Sequence, residues 1–424
     1  MTAECATEAL RPVGAAETVT RSRREDAISP GMLVLLAFIA AASPLAIDLY
    51  LASFPRIQRD LSTTPTMVQL TLTAYLVGVS IGQPIWGPLS DRFGRRRPLI
   101  VSNSITVVSS ALVALAPTIH VLIAARFVQA LSAASGMVIA RAIVSDKAQG
   151  YAGVRALTLM MTVFGVVPVV APTLGGVLAT FLPWRGVLLL FAAIVVGQLL
   201  ACIFVLSETL PPVRRSRRLS YGDLARVLAR PAFLTYGLTL GIALAVMMAY
   251  VGSASFVYQK GLGFSALGFG LVFAANAIAM LAAGTLNSRL ARRQVHPVRT
   301  VGGALPFVVV CCLSIAAVGA SPWPQLIVLP AVLNAFFINL ATGNCMALAM
   351  GQAQGIPGAG SAVLGLFMFG FGALVTPLSS LLGGASSPVS MGLLMGGLAL
   401  CAAMTFALGR RWLQKHSKAE IALG

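Results

Sequence analysis

Apolar residues fill whole stretches of this chain, and short polar breaks separate one stretch from the next. A helix needs about 20 residues to cross roughly 30 Å of hydrocarbon. Twelve stretches near that length can be traced, at 31–53, 67–86, 98–117, 119–142, 154–178, 186–206, 232–256, 264–287, 299–320, 324–349, 357–383 and 389–409. The pattern predicts an all-α membrane protein of twelve transmembrane helices, with the narrowest break between Pro117 and Ile119. The longest polar interruption, 207–231, holds Pro211, Pro212, the run Arg214, Arg215, Arg217 and Arg218, and a short amphipathic stretch from Tyr221 to Leu228. It divides the chain into a tail at 1–30, a six-helix bundle at 31–206, a basic loop at 207–231, a second bundle at 232–409 and a tail at 410–424.

The two halves repeat one another. Gly87-Pro88-Leu89-Ser90-Asp91-Arg92-Phe93-Gly94-Arg95-Arg96, after the second span, aligns with Gly284-Thr285-Leu286-Asn287-Ser288-Arg289-Leu290-Ala291-Arg292-Arg293, after the eighth. Any loop on the basic side of a membrane attracts arginine, but that does not place Gly and Leu at the same offsets in both. Two pseudo-symmetric six-helix bundles are therefore expected, with a cavity between them. The copies differ at Asp91 and Gly94, whose counterparts are Ser288 and Ala291, so the first loop alone has an acid to pair with its arginines. The first turn of a neighbouring helix, such as the one opening at Pro357, is a second candidate partner for Asp91.

Composition agrees with a membrane chain: 58% of the 424 residues are hydrophobic and only 10% charged. With both termini placed on the cytoplasmic side, 25 of the 30 basic residues fall in the tails and loops of that side, which is the expected bias. The net charge of +18 is thus a signal of topology, and no basic stripe interleaved with aromatics suggests nucleic acid. Residues 1–30 read as a retained cytoplasmic tail, since they lack a short apolar core followed by a small-residue cleavage site. The six cysteines, Cys5, Cys202, Cys311, Cys312, Cys345 and Cys401, show no CxxC spacing, so neither disulfides nor a metal site is expected. His120, His296 and His416 form no HExxH pair, no catalytic constellation is gathered, and none of the four lysines completes a phosphate-binding loop. An enzyme and an ATP-driven pump are both disfavoured, which leaves an ion gradient as the source of energy.

Of the 12 acids, Asp48 alone falls inside an apolar span. Its helical neighbours Ala41, Pro44, Leu45 and Ala52 make a face that is small except for one leucine, leaving room for close helices or water, and Pro44 removes a backbone donor one turn before the acid. Intramembrane acids of this kind carry protons, and the bland alternative is a solvated acid near the outer end of the span. Arg126 lies inside the fourth span, where a cation needs a partner or a wet cavity, and a direct or water-bridged pair with Asp48 is expected against the alternative of snorkelling to the interface. The fifth span contains Gly165, Pro168, Pro172, Gly175 and Gly176, a composition that bends a helix and lets neighbours approach.

These segments resemble the major facilitator superfamily. Gly87 to Arg96 matches every fixed position of its loop 2-3 motif, with Gly87, Asp91, Arg92, Gly94, Arg95 and Arg96 in the conformational roles that the resemblance implies. Val68 to Tyr75 and Ile47-Asp48-Leu49-Tyr50-Leu51 are similar to the Bcr/CflA branch of drug:proton antiporters, although Ala52 stands where proline is frequent and Ala40 where some relatives carry a second acid. Arg126-Phe127-Val128-Gln129-Ala130 resembles the proton-coupling motif of the fourth span, with Ala130 in a glycine position, and Gly165 to Gly176 resembles the antiporter motif of the fifth.

The resemblance implies a major facilitator fold and proton-coupled efflux of small, largely apolar drugs of the chloramphenicol or bicyclomycin kind. It also implies a bacterial cytoplasmic membrane, Asp48, Arg126 and Gln129 as the coupling residues, protons and lipid as partners, and a monomer without a cofactor. Uptake of a metabolite by proton symport on the same fold is the alternative. Tyr50, Gln69, Tyr75, Asn276, Asn334 and Phe337 are candidate substrate contacts by polarity and span position alone.

Overall fold

The structure is a computed structural model that describes residues 29–147, 167, 170–211, 222–378 and 386–423. The first half comprises α1 (Pro30–Asp48), α2 (Phe54–Asp60), α3 (Pro65–Phe93), α4 (Arg96–Ala114), α5 (Ile119–Lys147), α6 (Val170–Phe181) and α7 (Trp184–Phe204). After the short α8 (Gly222–Leu228), the second half comprises α9 (Pro231–Phe256), α10 (Ala266–Arg292), α11 (Pro297–Gly319), α12 (Val328–Gly351), α13 (Pro357–Val375) and α14 (Pro388–Leu423). Among the described residues, eleven helical runs are long and apolar enough to cross a membrane. The fifth span is represented by α6, because much of 154–178 lies outside the described residues.

Local chemistry explains where these helices begin. Proline occupies the first turn of α1, α3, α9, α11 and α13, where its missing N–H has no intrahelical partner to lose. Ser29, Thr64 and Ser265 cap α1, α3 and α10 by accepting from the backbone N–H groups of Met32, Met67 and Gly268. One sequence boundary needs correction. The first span is not one uniform helix: α1 ends at Asp48, and the chain passes through a 3-10 turn at Leu51–Ser53 into α2. The C-terminal segment from 410 continues α14 as helix to Leu423.

The repeated loop behaves differently in its two copies. Gly94 has φ +89°, a left-handed conformation that stops α3 and turns the chain into α4. At the equivalent position Ala291 remains helical, and the turn is delayed until Gln294, at φ +56°. The divergence at this one offset thus sets where each helix stops.

Within the first half, α3 packs on α5 through Gly78 and Gly82: a Cβ at either position would lie 2.6 Å from a backbone oxygen, of Phe127 and Leu131 respectively. Trp86 Nε1 donates to the Leu131 carbonyl at 2.7 Å across the same contact. The halves meet chiefly where α3 lies along α13, with Ser80 Oγ donating to the Leu366 carbonyl. At the end bearing α2 they are further joined by Gln69 Nε2 to the Gly252 carbonyl at 3.1 Å, Gln259 Nε2 to the Ala52 carbonyl at 3.0 Å, and Thr173 Oγ1 to the Gly270 carbonyl at 3.1 Å.

Candidate functional site

Asp48, at the last turn of α1, is 8% exposed, and its side chain lines a cavity between the halves. Every other lining residue comes from the second half: Met247, Tyr250 and Val251 of α9, Phe273, Asn276, Ala277 and Met280 of α10, and Ala331, Asn334, Ala335 and Ile338 of α12. The cavity measures about 40 Å³ in this conformation, room for a few waters and not for a drug-sized molecule. Asp48 is the one ionisable carboxylate among these residues, so its protonation state sets the charge of the space.

Arg126 is fully buried nearby, yet among the described residues no ion pair joins it to Asp48, which corrects the expected direct pair. Its guanidinium lies 3.9 Å from the ring centre of Tyr50 and 4.6 Å from that of Tyr75. Nη1 donates to Gln129 Oε1 at 2.7 Å, and Nη2 donates to the Ala46 carbonyl at 3.0 Å. Gln129 passes the network on by donating to Ser110 Oγ at 2.8 Å. Aromatic faces and carbonyl oxygens thus solvate the cation in place of a carboxylate. Ala46 belongs to the last turn of α1, whose terminal carbonyls lack helical partners, so the guanidinium caps the helix end that carries Asp48.

Two of the six candidate substrate contacts, Asn276 and Asn334, line the cavity. Tyr50 and Tyr75 instead flank Arg126, the hydroxyl of Tyr50 bonding Thr71 Oγ1 at 2.7 Å and that of Tyr75 donating to the Ser43 carbonyl at 3.1 Å. Gln69 bonds across the halves at Gly252, and Phe337 stacks on Phe307 at 4.7 Å, away from the cavity. Sequence reasoning missed Met247, Phe273, Met280 and Ile338, because an apolar residue facing a cavity reads the same as one facing a neighbouring helix, and it missed Tyr250, although its polar hydroxyl inside a span was a usable signal.

The loop between α3 and α4 forms a compact ion network. Arg95 Nη1 donates to Asp91 Oδ1 at 2.5 Å and Arg95 Nε to Asp146 Oδ2 at 2.8 Å, joining the end of α3 to the end of α5. Arg96 Nη2 donates to the Ile203 carbonyl at 2.6 Å, and Arg92 lies over the Phe93 ring. Asp91 therefore pairs within its own loop through an i, i+4 contact. Glu208, just beyond α7, accepts from the backbone N–H of Arg95 at 2.8 Å and of Arg96 at 3.3 Å, capping α4 from a distant part of the chain. Partial burial alone would push the Glu208 carboxyl up, but the N–H groups of Leu210, Arg95, Arg96 and Thr209 prevail and hold it below its ordinary value.

In the fifth span Gly165 and Pro168 lie outside the described residues, whereas Pro172, Gly175 and Gly176 lie in α6. A Cβ on Gly175 would come within 2.1 Å of the Leu49 carbonyl oxygen, next to Asp48, and one on Gly176 within 2.6 Å of the Ala266 carbonyl oxygen of the second half. These two adjacent glycines bring α6 against both the acid-bearing segment and the opposite bundle.

Two helical bundles enclosing a cavity with one buried acid are the architecture of a membrane transporter. The chain belongs to the Major Facilitator Superfamily, whose sequence profile matches residues 36–377. It is 33% identical over 380 residues to the uncharacterized MFS-type transporter YdgK of Bacillus subtilis, covering 88% of this chain and 93% of that one. It is also 28% identical over 361 residues to the bicyclomycin resistance protein homolog of Haemophilus influenzae, covering 82% of this chain and 88% of that one. A chloramphenicol resistance protein of Pseudomonas aeruginosa is 33% identical over 254 residues, 59% of either chain. These relatives bear out the resemblance to drug transporters of the Bcr/CflA type. The nucleoside transporter NupG shares the fold, with a TM-score of 0.69 at 12% identity over 89% of this chain and 98% of that one. The bacterial homologue of the human lysosomal transporter Spinster, inward-facing and occupied, superposes with the same TM-score at 14% identity, covering 89% and 96%.

Proposed function

We propose that this chain exports small, largely apolar compounds in exchange for protons by alternating access. On this reading Asp48 is the proton carrier, chloramphenicol- or bicyclomycin-like antibiotics are among the cargo, and no cofactor takes part. The observation that carries it is the position of Asp48, a lone carboxylate from the first half facing a cavity whose remaining walls belong to the second. A proton on that carboxylate removes the only carboxylate charge in the space, so protonation and the relative placement of the halves bear on one another. Arg126 holds the end of α1 in register through Ala46, and Gly175 lets α6 lie against the residue that follows the acid. The names of the drug-resistance relatives support the cargo class. Basic residues gathered on one set of loops support cytoplasmic termini in a bacterial cytoplasmic membrane. One charge moved through 100 mV yields about 2.3 kcal/mol, enough to hold a useful concentration ratio. A monomer suffices, since one chain contains both walls of the cavity.

The test is drug accumulation in cells carrying vector, wild type or Asp48→Asn, with the proton gradient intact or collapsed. Gradient-dependent exclusion by the wild type that is lost in the variant is expected. Equal accumulation in all three at matched membrane expression overturns drug export and turns attention to metabolite uptake.

A further inference from the structure

The cavity wall supplied by the second half carries three polar side chains, Tyr250, Asn276 and Asn334. The Tyr250 hydroxyl accepts from Asn276 Nδ2 at 2.7 Å and donates to the Tyr258 hydroxyl at 3.4 Å. Asn334 Oδ1 accepts from the Cys312 thiol at 3.4 Å. Asn276 is different: its Nδ2 is satisfied, but Oδ1 is buried without a donor among the described residues, on a residue only 6% exposed. Buried carbonyl oxygens are ordinarily paired, and one left unpaired on a residue that lines a cavity is a position where a ligand's donor gains a bond that no described protein group supplies once the space enlarges.

The surroundings say what else that ligand must offer. Phe273 stacks on Tyr250 with ring centres 5.5 Å apart and planes 26° from parallel, giving a rigid aromatic platform beside the amide. Met247, Met280 and Ile338 complete an apolar lining in which the unbranched thioethers can move aside as the space enlarges. Tyr250 holds the amide in place through Nδ2, so Oδ1 is fixed in direction before anything binds.

We propose that Asn276 is a specificity-determining residue that selects compounds with an aromatic or other apolar body and at least one hydroxyl donor, the hydroxyl bonding Asn276 Oδ1. This rests on the export reading above and names its substrate class. A site built to bond a hydroxyl rejects the same molecule without it far more strongly than an apolar pocket distinguishes one methylene.

The experiment uses the full-length protein in proteoliposomes under an imposed pH gradient, with chloramphenicol and its diacetate, in which both hydroxyl donors are blocked, as probes. The wild type is expected to favour chloramphenicol in kcat/KM by about tenfold or more, and Asn276→Leu to bring the two compounds within about twofold of one another by losing chloramphenicol alone. Asn276→Ser, which restores an acceptor oxygen, is expected to recover part of the preference. Tyr250→Phe, which removes the acceptor that holds Nδ2 and frees the amide to turn, is expected to lower the ratio, though by less than Asn276→Leu. An unchanged ratio in Asn276→Leu, or a larger loss of the ratio in Tyr250→Phe than in Asn276→Leu, overturns the assignment while leaving drug export intact. No gradient-driven movement of either compound by the wild type overturns export, and this substrate class with it.

Discussion

At the scale of single residues, the site separates two jobs that sequence reasoning had joined. Asp48 faces the cavity, and Arg126 braces the helix end behind it through Ala46, Gln129 and two tyrosine rings. Lysine at 126 would keep the charge but could not hold both oxygens in that planar arrangement. Arg126→Lys is therefore expected to reach the membrane and to lose about 1.5–3 kcal/mol, one charged hydrogen bond, from the ordering of α1. Proton-driven efflux in everted vesicles should fall at least tenfold, and retention of wild-type efflux would assign the coupling elsewhere. Glu208 allows a prediction in pH. Its carboxyl is held below the ordinary value of 4.5 in the folded chain. Its stabilising contribution is therefore complete above that ordinary value and is lost as pH falls through the lower folded one. Glu208→Gln should cost about 0.5–1 kcal/mol after allowance for solvent screening. The gap between wild-type and variant melting temperatures in detergent should be constant near neutrality and close at strongly acid pH.

At the scale of elements, close approach of helix backbones decides which glycines matter. Gly175 and Gly176 let α6 touch Leu49 on one side and Ala266 on the other, whereas Gly303 of α11 has nothing within 4 Å of where a Cβ would sit. Alanine favours a helix over glycine by up to about 1 kcal/mol, so Gly303→Ala should be neutral or slightly stabilising. Gly175→Ala must push α6 away from the segment carrying Asp48. We expect normal membrane insertion but efflux reduced at least tenfold, read by the rate of dye extrusion after a pH jump. Equal activity of the two alanine variants would show that the approach of α6 to α1 is dispensable. Gly94 is a glycine of another sort, needed for its positive φ at the stop of α3.

At the scale of the whole molecule, the halves are held together at the end bearing α2. Lys260 Nζ there donates to Gln58 Oε1, near the bonds of Gln69 to Gly252 and Gln259 to Ala52. Alternating access requires these contacts to part in every cycle. Cysteines at 58 and 260, in a background without native cysteines, should be joined by a short bifunctional thiol reagent. Efflux should stop on cross-linking and return when the link is cleaved, and full efflux with quantitative cross-linking would show that this end need not open.

The twelve apolar stretches, the split at 207–231, the duplicated loop and the identity of Asp48 and Arg126 were all legible in the sequence. Hydrocarbon thickness sets span length, and the cost of an intramembrane charge makes each such residue conspicuous. Local chemistry also determined the helix starts at proline with Ser or Thr caps. Only the tertiary structure decided what those residues face. It set Asp48 against the second half's cavity and Arg126 between Tyr50 and Tyr75. It also brought Asn276 and Asn334, but not Phe337, to the cavity wall, and Glu208 to the start of α4 from 112 positions further along the chain. The reason is physical: in a chain apolar on nearly every face, lipid-facing, packed and cavity-lining positions share one composition. They become distinct only when helices far apart in sequence are set side by side.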